Sequence, residues 1–160
     1  MKITIVYGTN YGTSEKVANI LKDKLKGQVT LVNIKTSPNV DLSKIDKLII
    51  GGSIKIGQIP KELKRWINNN LSEIIAKKPY LYMCAGEEDE EKLKAIWEMN
   101  YPKKILESAV CKTFVGGEMD ITKLNFFMKR LLKIVKGKLE SSSNLKDDSI
   151  ENLSNLINSK

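Results

Sequence analysis

Five short apolar runs alternate with amphipathic helical stretches along this chain, and that alternation restricts the fold more than any other feature. Lys2–Tyr7, Gln28–Ile34, Lys47–Gly52, Pro79–Ala85 and Val110–Gly117 read as strands. Between them lie helices over Ser14–Lys26, from Pro60 through Leu71, and over Glu88–Tyr101. Beyond the fifth strand come Thr122–Lys136 and a final helix from about Asp147 to Asn158, joined by a soft Ser141–Asn144 linker. The third run is apolar at successive positions, the pattern of a strand covered on both faces. Strands joined by helices predict a doubly wound α/β fold with a parallel sheet. The expected strand order is 2-1-3-4-5, with its switch point between strands one and three. At 160 residues the expectation is one domain over 1–160.

That order puts a ligand beyond the carboxyl ends of the strands, and the first such loop is distinctive. Gly8-Thr9-Asn10-Tyr11-Gly12-Thr13-Ser14 carries hydroxyls and glycines from strand one into a helix. Unpartnered N–H groups and the helix dipole favour an anion there. Thr9, Thr13 and Ser14 add donors, and Gly12 admits close approach. No lysine follows Gly12, so this is not the nucleoside-triphosphate loop, nor is it the three-glycine dinucleotide fingerprint. A loop of hydroxyls without a cation suits a phosphate monoester. By itself the segment reads equally well as a turn with an N-cap.

The loops after strands three and four flank this one. In Gly51-Gly52-Ser53-Ile54-Lys55-Ile56-Gly57, the residues Gly51, Gly52 and Ser53 would let a flat ring lie against backbone, with Lys55 and Ile56 covering one face, although Gly-Gly after a strand by itself reads more often as a turn. Ala85-Gly86 leads into the acidic run Glu87–Glu91, which reads as dipole complementarity at a helix start or as a field on a bound ring.

Composition removes several functions. There is no histidine, which excludes a histidine general base, a Ser-His-Asp triad and histidine metal sites. No residue looks like an acid–base catalyst. Cys84 and Cys111 fall inside predicted strands and read as reduced, buried thiols of a cytoplasmic protein, with no metal site. Met1-Lys2-Ile3 opens directly into a strand without a signal peptide, and no apolar run approaches the ~20 residues of a membrane span. A receiver domain is rejected, because Tyr7-Gly8-Thr9 and Gly51-Gly52 stand where it needs acids. The formal charge is +8. Nucleic acid is not an expected partner, since few aromatics are interleaved with the basic patch.

Charge concentrates in one place. From Ile121 to Lys138 the chain carries Lys123, Lys129, Arg130, Lys133, Lys136 and Lys138 and no acid. At ~100° per residue, Leu124, Phe127, Met128, Leu131, Leu132, Ile134 and Val135 fill one face, and Phe126 falls among the cations. The favoured reading is a helix packed on the core with a solvated basic face. The other is a dock for an anionic membrane surface or an acidic partner, with Phe126 as anchor.

The phosphate loop, the segment Ile50–Gly57 and the five-strand layout resemble flavodoxin-fold FMN proteins. Within them the chain is most similar to the branch containing menaquinone-dependent protoporphyrinogen IX dehydrogenases. Gly52-Ser53-Ile54-Lys55-Ile56-Gly57, Thr113-Phe114-Val115-Gly116-Gly117 and the extra basic helix carry that likeness. The resemblance implies non-covalent FMN, with its phosphate on Thr9, Asn10, Tyr11, Gly12, Thr13 and Ser14. Its ring would lie between Gly52, Ser53, Ile54, Lys55, Ile56 and Gly57 on one side and Ala85, Gly86 and Glu87 on the other. Members of the branch tend to carry an aromatic where this chain has Ile56. The implied activity is electron transfer through FMN to a redox partner protein or a quinone. A flavin-dependent oxidoreductase and a pure electron carrier remain alternatives, with location in the cytoplasm or at the inner membrane face.

Overall fold

The computed structural model describes residues 1–137 and 140–159. Its main sheet contains β1 (Lys2–Gly8), β2 (Gln28–Asn33), β3 (Lys47–Ser53), β4 (Tyr80–Cys84) and β5 (Cys111–Phe114). All pairings are parallel, in the order β2-β1-β3-β4-β5. This is the sheet expected from the alternation.

Side chains alternate across a strand, so each strand feeds two cores. On one face, Val6, Leu48, Ile50, Leu81 and Met83 pack against α2 (Lys61–Asn69), α3 (Leu71–Lys77), α4 (Glu90–Asn100) and α5 (Lys103–Ser108). On the other, Ile3, Ile5, Ile49, Tyr80 and Tyr82 pack against α1 (Thr13–Lys24) and α7 (Asp147–Ser159). The apolar run Leu48-Ile49-Ile50 is fully buried because neighbouring residues serve opposite layers.

Several boundaries depart from the sequence reading. The helix expected from Pro60 through Leu71 is broken at Asn70, whose side chain donates to the Trp66 carbonyl at 2.8 Å. A carboxamide that bonds the backbone one turn back competes with helix propagation. Pro60 caps α2 rather than opening it. Strand five is shorter than expected: it stops at Phe114, and the left-handed Gly116 turns the chain into β6 (Gly116–Met119). β6 pairs antiparallel with β7 (Ser142–Leu145), the segment expected to be a linker. Polar side chains gave no apolar alternation there, and backbone pairing alone makes the strand.

The chain between β6 and β7 holds the extra basic helix, α6 (Phe126–Lys136), after a 3-10 turn at Ile121–Lys123. The helix starts later than expected because Asn125 caps it, accepting from the Met128 N–H at 2.9 Å. Asp120 caps the 3-10 turn in the same way. Lys138 lies outside the described residues.

The core protects several weak acids in their neutral form. Tyr82 is fully buried, and burial raises its phenol well above the usual value. Burial likewise raises the Tyr101 phenol and pushes the Cys84 thiol up to about 12. These groups bind their protons more tightly folded than unfolded. Their contribution is complete below the ordinary thiol value of 9.0 and is lost as pH climbs toward about 12. Chemical denaturation between pH 7 and 11 should show stability falling from about pH 9 upward. A curve that stays flat through that window would contradict this account of the core.

Candidate functional site

β1 delivers the chain to Thr9 at the sheet edge. The Gly12 N–H donates to the Thr9 hydroxyl oxygen at 2.8 Å, folding the turn on itself. Gly12 sits at φ 95, in left-handed backbone that a side chain would strain, and α1 begins at Thr13. No side chain caps this helix. Among the described residues, no chain acceptor takes the N–H groups of Thr13 or Ser14. The loop therefore presents open donors at the positive end of a helix.

Not every hydroxyl of the loop faces outward. Ser14 is fully buried, and its hydroxyl donates to the Tyr82 phenol oxygen at 3.2 Å. Tyr82 in turn donates to the Ser14 carbonyl at 2.8 Å. What Ser14 offers a ligand is its backbone N–H. Thr13 donates to the Glu118 carbonyl at 3.3 Å, which ties the loop to β6.

The loop after β3 is a tight hairpin turn. Lys55 and Gln58 exchange backbone bonds of 2.9 and 3.1 Å across Ile56 and Gly57, both at positive φ. Buried Asn100 on α4 clamps this turn. Its side chain accepts from the Ile59 N–H at 2.8 Å and donates to the Gly57 carbonyl at 2.8 Å. Nothing in local sequence marked Asn100, since its role depends on α4 lying beside the turn. The space where side chains at Gly51 and Gly52 would stand is taken by the core. A Cβ on Gly51 would fall 1.8 Å from the Tyr82 ring, and one on Gly52 would lie 3.0 Å from Ile59. Both positions make room for the core.

The loop after β4 is held by β6. The Ala85 N–H donates to the Gly116 carbonyl at 2.9 Å, and a Cβ on Gly117 would lie 2.7 Å from the Gly86 nitrogen. Glu87 does not enter the cavity. Its carboxylate accepts from the Asp89 and Glu88 N–H groups at 3.1 and 3.0 Å, and these bonds lower its pKa. It stabilises the approach to α4.

Together these loops surround a cavity of about 620 Å³. Asn10, Tyr11 and Thr13 line one end, Ser53 to Ile56 one side, and Ala85 and Gly86 another. Thr9, Ser14, Gly52, Gly57 and Glu87 do not line it, and Gly12 opens onto a neighbouring cavity. The Lys55 ammonium lies 5.2 Å from the Tyr11 ring centroid, joining the first two loops by a cation–π contact. Cys84, lining the floor, is kept protonated by burial and then by the charge of Glu118. Sequence reasoning missed the outer wall, formed by Leu124 and by Met128, Leu131 and Leu132 of α6. No three His, Cys, Asp or Glu residues could hold a metal among the described residues.

Ile56 stands out at the cavity mouth. It is β-branched, 71% exposed, and held at φ 50. Left-handed backbone costs such a residue about 1–2 kcal/mol, and solvent gives little packing in return. Ile56→Gly or Ile56→Asn should therefore raise the unfolding free energy, by about 1 kcal/mol, in denaturant titration. A loss of stability in both variants would show that the turn is unstrained.

Comparison with known proteins places this geometry. A family model described as a flavodoxin domain matches residues 4–145. The chain is similar to oxidised flavodoxin 2 of Bacillus cereus, at 18% identity and TM-score 0.58, over 98% of this chain and 95% of that one. It is also similar to a Streptococcus pneumoniae flavodoxin, at 17% identity and TM-score 0.55, over 98% and 97%. A flavodiiron core from Synechocystis matches at 17% identity and TM-score 0.51, over 72% of this chain. The chain spans 29% of that protein's length. Comparison with curated protein sequences gives no match. The family model covers most of the chain, and the five-strand order and loop placement agree with it: the chain belongs to the flavodoxin domain family.

Proposed function

We propose that this protein binds FMN without a covalent bond and passes electrons through it to a redox partner. One observation carries the reading: an uncapped helix end with open N–H donors forms one end of a cavity of about 620 Å³ at the sheet switch point. Both the donor set and the volume fit a flavin monophosphate.

The N–H groups of Thr13 and Ser14, with the backbone of Asn10 and Tyr11, would hold the phosphate. The turn at Ser53–Gly57 and the Ala85–Gly86 backbone would flank the ring. FMN, when bound, supplies the electron chemistry. The chain's own work is placement. Asn100 fixes one flanking loop and β6 fixes the other. Met128 and Leu132 keep water from the outer side of the cavity. The buried Cys84 thiol stays neutral beneath it and adds no charge to the site.

Protein saturated with FMN and then desalted should retain a stoichiometric flavin, read from its visible spectrum. Stepwise anaerobic reduction should then resolve a one-electron stage if the protein is a carrier. Passage straight to the fully reduced spectrum would support the oxidoreductase reading instead. Flavin lost on desalting would overturn the assignment.

The second reading is a flavin-dependent dehydrogenase of the quinone-linked protoporphyrinogen type working at a membrane surface. α6 favours it. The arc with Met128 and Leu132 lines the cavity, while the stripe with Phe127 and Ile134 is 81% and 73% exposed. Phe126 is also exposed, so the anchor would be a group of residues rather than Phe126 alone. The helix is therefore not packed on the core as the sequence favoured. Lys129, Arg130 and Lys133 flank the exposed stripe and would meet anionic headgroups. No helix among the described residues is long and apolar enough to cross a membrane.

Sedimentation with anionic, but not neutral, phospholipid vesicles should pull down the wild type. The double variant Phe127→Asp, Ile134→Asp should stay in the supernatant. Equal behaviour of the two proteins would remove the membrane role, and absent turnover with quinones and porphyrinogens would remove the enzyme role.

A further inference from the structure

The loop between β1 and α1 carries no cation of its own, but the fold brings one to it. Lys123, 112 residues beyond Tyr11, donates from its ammonium to the Tyr11 carbonyl at 3.4 Å. A Cβ on Gly12 would lie 3.6 Å from the same nitrogen. Lys123 ends the 3-10 turn whose Asp120 carboxylate accepts from the Thr122 N–H at 2.9 Å and its hydroxyl at 2.6 Å. The turn is also tethered by the Ile121 N–H, which donates to the Ser141 hydroxyl at 3.2 Å.

The strand that carries this turn is fixed to α1. Lys16 pairs with the Glu118 carboxylate at 2.9 Å, and Thr13 bonds the Glu118 carbonyl. Lys16 is thereby committed to an acid. The Lys123 charge acts on the nearby Asp120 carboxylate, but the hydrogen bond of its ammonium is a long one to a neutral carbonyl, at the rim of the neighbouring cavity of about 590 Å³, which shares Tyr11 and Thr13 with the cavity of about 620 Å³. An ammonium gains far more from a phosphate oxygen than from a carbonyl at that distance.

We propose that Lys123 is a binding residue for the phosphate of the flavin, and that it makes the site select phosphorylated over unphosphorylated flavin. This rests on the FMN reading. The N–H groups of α1 supply direction and partial charge, and Lys123 supplies the full positive charge that the loop's own sequence lacks.

The test is fluorescence titration of apoprotein with FMN and, separately, with riboflavin. Wild type, Lys123→Gln and the charge-matched control Lys104→Gln on α5 are compared at low and high salt. Lys123→Gln should weaken FMN about ten-fold at low salt and leave riboflavin unchanged. Lys104→Gln should change neither. Binding of FMN by Lys123→Gln equal to wild type would overturn the proposal while leaving the FMN reading standing. Equal losses for FMN and riboflavin would overturn it too, by showing a purely structural role. A wild type that binds neither flavin would overturn the FMN reading itself, and this inference with it.

Discussion

Tyr82 is the residue on which the architecture of the site depends. It stands in β4 opposite Gly51 of β3, and its ring takes the space that any side chain at position 51 would need. The phenol then reaches α1, where it accepts from the Ser14 hydroxyl and donates to the Ser14 carbonyl. A buried hydroxyl left without partners would cost about 1–3 kcal/mol, so this pairing strongly favours one placement of the α1 N-terminus. The open N–H groups at that end are therefore aimed by a contact in the core. The glycine pair Gly51-Gly52 also makes room for Tyr82 and for the α2 side of the sheet.

The same economy governs the flanking loops, which are positioned by distant elements rather than by their own sequence. Asn100 satisfies donors and acceptors of the β3 turn from within α4. β6 reaches the β4 loop so closely that only glycine fits at position 117. With both turns constrained in this way, Ile56 can be held in backbone it would not choose, at the mouth of the cavity.

The segment between β6 and β7 changes the character of the site. A sheet with short connections would leave the cavity open to water on its outer side. Here α6 lines that side with apolar residues and leaves a second apolar stripe, edged by cations, facing solvent. One helix thus joins the interior of the site to the outer surface. Lys123, at the base of the same segment, brings its ammonium to the Tyr11 carbonyl in the loop before α1, from far along the chain.

The alternation of apolar runs and amphipathic helices was enough to read the sheet order and the position of the loop between β1 and α1, because both follow from local periodicity and chain connectivity. The side chains that cap α4 and α6, Asp89 and Asn125, were not read as caps from the sequence, and the start of α6 was placed too early. Backbone hydrogen bonding and packing across the sheet decided the rest. β7 forms from a serine-rich stretch that has no apolar pattern, because its partner β6 supplies the order. Ser14 turns inward because Tyr82 lies beneath it, and Gly51 serves packing for the same reason. Asn100, Lys123 and the α6 wall entered the site only when the chain folded. Local sequence determines the five strands of the main sheet and most of the helices, because their periodicity is local; which side chains meet at the sheet edge is settled by contacts between residues tens of positions to more than a hundred positions apart.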